Sequence, residues 1–227
     1  MTPKLPEELQ TDTQSISDGD EGKSLTIKPR PPAFEIVALT ASAGGLKALR
    51  DILSKLPHNF PVPIVIVQHL APKYRSFTAP ILDRSSPLQV KEAQDGEPLK
   101  VGQVYIAPPD YHLRVNPNHT LHLCQSAKVH FVRPAAEVLF QSIAIIYQHQ
   151  AIAVVLTGAD SDGQQGVQEI KKRGGVVIAQ NRETSQIFGM PAAAIATGCV
   201  DWVLPLDKIA PALKNLVTTG DIKGETL

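Results

Sequence analysis

The chain has 227 residues, 43% of them hydrophobic, which is enough for one domain with a substantial core. Its 22 Lys and Arg balance 22 Asp and Glu, so no basic excess points to nucleic acid and no charge block points to a membrane surface. Two well-separated cysteines, Cys124 and Cys199, and the lack of any apolar run of about 18 residues argue against a disulfide framework, a zinc site or a spanning helix, and a cytoplasmic location is expected.

Residues 1–32 are rich in Thr, Ser, Asp, Glu and Pro and read as a disordered leader, because such a segment buries too little apolar surface to offset its ordering entropy. From Phe34 onward, strand-like and helix-like segments alternate. FEIVALT (34–40) has the β-branched content of a buried strand, GLKALRDILSKL (45–56) places its leucines at helical spacing, and VPIVIVQ (62–68) is again apolar on both faces. Strands apolar on both faces, followed by amphipathic helices, are what a parallel sheet covered on both sides requires. Later, AAEVLFQSIAIIYQ reads as helix, AIAVVLT (151–157) as strand and GQQGVQEIKKRG as helix closed by Gly174. GVVIAQ (175–180) follows as strand, PAAAIATG as a short helix, VDWVLP (200–205) as the last strand, and about Leu206 to Val217 as a C-terminal helix. In the middle, QVYIAP, HLRVN and TLHLC are short alternating pieces, and Asn116-Pro117-Asn118 reads as a hairpin turn. The predicted fold is α/β: a doubly wound, mostly parallel sheet with helices on both faces and a small antiparallel hairpin insertion near residues 103–124. One folded unit is expected over 33–220, with a flexible tail at 221–227.

In an open parallel sheet, ligands bind beyond the carboxyl ends of the strands. Three predicted strands end there in chemically useful residues. The first runs into Ala41-Ser42-Ala43-Gly44-Gly45, the second into His69, and the strand 151–157 into Gly158-Ala159-Asp160-Ser161-Asp162-Gly163. Ser42, His69 and Asp162 thus fall on one sheet edge as nucleophile, base and orienting acid. Each has a plainer reading: Ser42 and Asp162 as helix N-caps, with Asp160 competing as the acid, and His69 as a structural histidine. His130, before a helix, is the other candidate base. A dinucleotide site is the rival reading of the glycine-rich turn, but Ser42-Ala43-Gly44-Gly45 is not GxGxxG, and the second strand ends in Gln68-His69 without the acid that holds a ribose.

These motifs resemble the catalytic domain of chemotaxis protein-glutamate methylesterases of the CheB type. IVALTASAGG (36–45) is similar to that family's Gly-Ala-Ser-x-Gly-Gly nucleophile loop, VIVQHLAP to its Val-Gln-His-x-x-Pro segment, and VVLTGADSDGQQGV to its Leu-Thr-Gly-x-x-x-Asp-Gly-x-x-Gly segment. IAPPDYHL, RPAAEVLF, AQNRETSQIFGMPAAAIATG and VDWVLP follow in the family's order, so the likeness spans roughly residues 34–218. It implies a serine hydrolase that demethylates glutamate γ-methyl esters, and also deamidates glutamine, on a methyl-accepting chemoreceptor or related signalling protein. It implies Ser42 as nucleophile, His69 as general base and Asp162 as orienting acid, with no metal or cofactor and with a separate methyltransferase as a further partner. A binding module of the same fold, without turnover, is the alternative. Thr40 stands where the family usually has Gly, and Ala159 where several members have Met or Thr. Better-known members carry a phosphorylatable receiver domain; the 32-residue leader is too short and polar for one, so a stand-alone catalytic domain is expected.

Overall fold

The computed structural model describes residues 32–69 and 76–221. The expected leader (1–32) and tail (221–227) lie outside the described residues except for residues 32 and 221. Among the described residues seven strands form one parallel sheet: β1 (Ile36–Ala41), β2 (Ile64–Gln68), β3 (Gln89–Glu92), β4 (Gln103–Ile106), β7 (Ala151–Val155), β8 (Val176–Gln180) and β9 (Trp202–Leu204). Two more, β5 (His112–Val115) and β6 (Leu121–Cys124), pair antiparallel as a separate hairpin. The helices are α1 (Gly45–Ser54), α2 (Thr78–Asp83), α3 (Ala136–Tyr147), α4 (Gln164–Lys172), α5 (Gly189–Ala196) and α6 (Leu206–Thr219). None of the described helices is long and apolar enough to cross a membrane.

The strand order is β3-β4-β2-β1-β7-β8-β9. The chain therefore lays β2, the edge strand β3 and the intervening β4 on one side of β1, then crosses to β7 on the other. That reversal makes the β1/β7 boundary the switch point, where the loops beyond the strands diverge and leave a crevice. Every residue of β1, β2 and β7 is buried. Because strand side chains alternate, Val37, Leu39, Ile64 and Ile66 face one helical layer, with Leu49 and Ile52 of α1 and Leu213 of α6. Ile36, Ala38, Val65 and Val67 face the other, with Leu139, Phe140 and Ile143 of α3, Val167 and Ile170 of α4, and the β5–β6 hairpin.

Two features differ from the sequence expectation. Gln103–Ile106, grouped there with the hairpin insertion, is β4 and pairs in parallel with β2 and β3 inside the main sheet. Only β5–β6 forms the hairpin, closed by the turn around Asn116–Thr120, in which Asn116 N–H donates to Thr120 O and His119 takes a φ of 59°. The strand β3 and the helix α2 were not anticipated. QVKE is a four-residue edge strand with only Val90 buried, and TAPILD carries a proline, so neither has a clear period.

The two helices on the hairpin side pack very closely. A Cβ placed on Gly166 of α4 would lie 2.6 Å from the Cβ of Phe140 in α3. Gly166→Ala should therefore destabilise the fold by about 1–3 kcal/mol through overpacking, even though Ala is the better helix former by about 1 kcal/mol. Urea denaturation reads this directly, and a raised midpoint would show that the two helices separate without cost.

Candidate active site

The sheet ladder carries each predicted site residue to its place. Ala41 pairs with Gln68 in the register of β1 and β2, so Ser42 and His69 each stand one residue beyond a paired position. His69 N–H donates to Ala41 O at 3.0 Å, and Ser42 N–H donates across to Thr157 O at 2.9 Å. These bonds hold three strand ends together where the chain would otherwise fray.

Beyond Ser42 the chain turns sharply. Gly44 is the N-cap of α1 with φ 81°, a left-handed conformation that glycine adopts without steric cost. Gly45 is needed for space: a Cβ there would lie 2.2 Å from Gln68 Oε1. Gln68 uses its amide to grip the turn, with Nε2 donating to Ser42 O at 2.9 Å and to His69 O at 3.2 Å. Thr157 Oγ1 braces the same turn, reaching Ala43 O at 2.9 Å and accepting the Ile187 N–H at 2.9 Å. Ser42 is not the cap of α1, which has no side-chain cap bond, and Ser42 Oγ makes no hydrogen bond among the described residues. The Ala43 and Gly44 N–H groups are likewise unbonded among the described residues. A cleft of about 390 Å³ opens beside Ser42, with Leu46 and Ile81 as apolar walls and Lys47 and Arg50 as cationic ones.

Asp162 is also not an N-cap; α4 is capped by Gly163, with φ 94° and no side-chain cap bond. Its side chain is buried, and Oδ2 lies 2.7 Å from His69 Nε2. The carboxylate is anchored from behind by the first turn of α3: Ala136 N–H donates to Oδ2 at 2.5 Å and Glu137 N–H to Oδ1 at 3.1 Å. Both amides lack intrahelical acceptors, and the helix dipole adds positive potential at that end. The Glu137 carboxyl, close by and accepting the Gln165 N–H, is pushed above the usual carboxylate range by burial and then by the Asp162 charge.

Asp160 meets the other side of the imidazole. Its Oδ2 lies 3.1 Å from His69 Nδ1, while its Oδ1 accepts the Asp162 N–H at 3.0 Å. The Nδ1 contact has the distance of an ion pair but not the direction of a hydrogen bond, so Nδ1 is a buried ring nitrogen without a hydrogen-bond partner. Burial is the largest single influence on His69 and lowers its pKa; the two carboxylates together outweigh it and raise the pKa from 6.5 to about 9.

Ser42, His69 and Asp162 thus converge at one sheet edge, and His130 does not join them. His130 and Phe131 are the central pair of a tight turn closed by mutual Val129–Val132 hydrogen bonds, both with positive φ, and His130 is exposed. His112 is structural: it is fully buried, its Nδ1 accepting the Ala135 N–H and its Nε2 donating to Ala127 O. Sequence reasoning missed the anchoring role of α3, the grip of Gln68 and the contact of Asp160 with Nδ1. Of these, Gln68 left a signal as a polar residue ending an otherwise apolar strand, and Asp160 as the second carboxylate of its loop. Thr40 is fully buried in β1 with its hydroxyl unpartnered, and Ala159 is exposed on the rim.

The family model described as CheB methylesterase matches residues 37–213. The chain is 44% identical over 198 residues to a protein-glutamate methylesterase/protein-glutamine glutaminase of Pyrococcus abyssi, covering 86% of this chain and 54% of that one. It is 41% identical over 217 residues to the protein of the same name from Thermotoga maritima, covering 94% of this chain and 63% of that one. It therefore spans between half and two thirds of the length of these relatives. The crystal structure of the Thermotoga maritima CheB methylesterase catalytic domain superposes with a TM-score of 0.79 at 44% identity, covering 81% of this chain and 99% of that one.

Proposed function

The chain belongs to the CheB methylesterase family, and on that premise we propose that it is a serine hydrolase that removes methyl groups from glutamate γ-methyl esters of a chemoreceptor or related signalling protein. The observation that carries the reading is His69, gripped at Nε2 by a buried Asp162 that is itself held on the α3 N-terminus, and standing beside Ser42 one residue beyond the last paired position of β1 and β2. This arrangement leaves Nδ1 as the nitrogen that takes the Ser42 proton. Ser42 Oγ then attacks the ester carbonyl, and the oxyanion is stabilised by N–H groups at the start of α1, for which the Ala43 and Gly44 amides, unbonded among the described residues, are available. The His69 imidazolium returns its proton to the departing methoxide, releasing methanol and leaving an acyl-enzyme. Water, deprotonated by the same nitrogen, cleaves that ester and frees the glutamate carboxylate. A glutamine side chain passes through the same steps with ammonia as leaving group. All steps use residues of this chain and water alone.

A fluorophosphonate probe tests the reading. Labelling is expected on Ser42, and Ser42→Ala should remove it. A folded wild-type protein that stays unlabelled would mark a binding module and not an enzyme.

A further inference from the structure

We infer that Asp160 is a positioning residue that competes with Ser42 for His69 Nδ1, holding the base in a resting state that substrate must break. Resting on the hydrolase reading above, it starts from a conflict over one atom. Asp162 occupies Nε2, so Nδ1 is the ring nitrogen left for Ser42, yet Asp160 Oδ2 stands 3.1 Å from it and Ser42 Oγ makes no hydrogen bond among the described residues. Asp160 and Asp162 reach the same ring from one loop, two residues apart, and the Asp162 N–H tethers Asp160 by its other oxygen. The Asp160 side chain is 35% exposed whereas that of Asp162 is fully buried. An arriving substrate can therefore displace Asp160 toward solvent, while Asp162 stays on the α3 amides.

A carboxylate against Nδ1 favours the protonated ring, and a protonated ring cannot accept the serine proton. Among the described residues, the charged and titratable groups around the pair are few. Asp160 and Asp162 face His69 from the loop after β7, Glu137 of α3 and His112 of β5 act on Asp162, and His130 acts on Asp160 from the loop before α3. The two carboxylates hold the His69 pKa up at about 9, so the ring rests largely protonated at pH 7.

The test is the pH dependence of fluorophosphonate inactivation and of ester hydrolysis, in wild type and Asp160→Asn. The Asn carbonyl can still accept the Asp162 N–H, so folding is retained, and a thermal melt checks it. Asp160→Asn should move the acid limb of both profiles down by about one pH unit and raise the rate at pH 7 about tenfold. A histidine titration followed by NMR should show the His69 midpoint falling with it. Labelling in both proteins with an unmoved limb, or a uniform drop at every pH, would overturn the competition. Wild type that labels at no pH would overturn the hydrolase reading, and this inference with it.

Discussion

Ser42→Ala should lower kcat/KM for a glutamyl methyl ester by about 10⁴-fold or more, the size of loss seen when one member of a unit-like triad is removed. The neighbouring Thr157 hydroxyl offers no replacement: its Oγ1 is committed to the carbonyl of Ala43 and to the Ile187 N–H. Stability should hardly change. Among the described residues Ser42 Oγ makes no hydrogen bond and caps no helix, so the alanine variant leaves none of their buried donors or acceptors without a partner. The backbone bonds at this position, Ser42 N–H to Thr157 O and Gly45 N–H to Ser42 O, survive the change. Kinetics and a urea melt on the same preparation separate the two effects. If the variant keeps more than a tenth of wild-type turnover, Ser42 is not the nucleophile.

Asp162→Asn should cost about as much in activity and, unlike Ser42→Ala, should cost stability too. The carboxylate accepts three N–H groups: His69 Nε2, Ala136 and Glu137. An asparagine amide must turn its NH₂ toward at least one of these donors, in a site that is 1% exposed. Leaving a buried donor unmet costs about 1–3 kcal/mol. Rotating the amide only chooses which donor suffers: facing NH₂ to His69 inverts the tautomer and removes the base, and facing it to Glu137 loosens α3. A loss of roughly 10⁴ in kcat follows from the wrong tautomer. Combining Asp162→Asn with Ser42→Ala should be scarcely worse than Ser42→Ala alone, because the acid acts only through the histidine and the serine. Equal losses from Asp162→Asn and Asp160→Asn would show that the acid has been assigned to the wrong carboxylate.

The loops that carry Ser42, His69 and Asp162 were legible in the residue order. FEIVALT, VPIVIVQ and AIAVVLT each hold an uninterrupted apolar run (36–39, 62–67 and 151–156) because both faces of a parallel sheet are covered, and such runs end where polar residues begin. Short-range periodicity fails for QVYI, which reads like the neighbouring hairpin pieces; only its long-range pairing with β2 and β3 puts it in the main sheet. The same limit applies within the site. Ser42 and Asp162 each precede a helix in sequence and so look like N-caps, but glycines take those positions, because the chain must enter a left-handed turn there. That the α3 amides, from a helix 26 residues upstream, hold Asp162, and that Asp160 meets Nδ1 while Asp162 meets Nε2, depends on packing between segments distant in sequence. Local propensity places a residue on a loop. Only the approach of separate elements chooses which atom of that residue faces which partner.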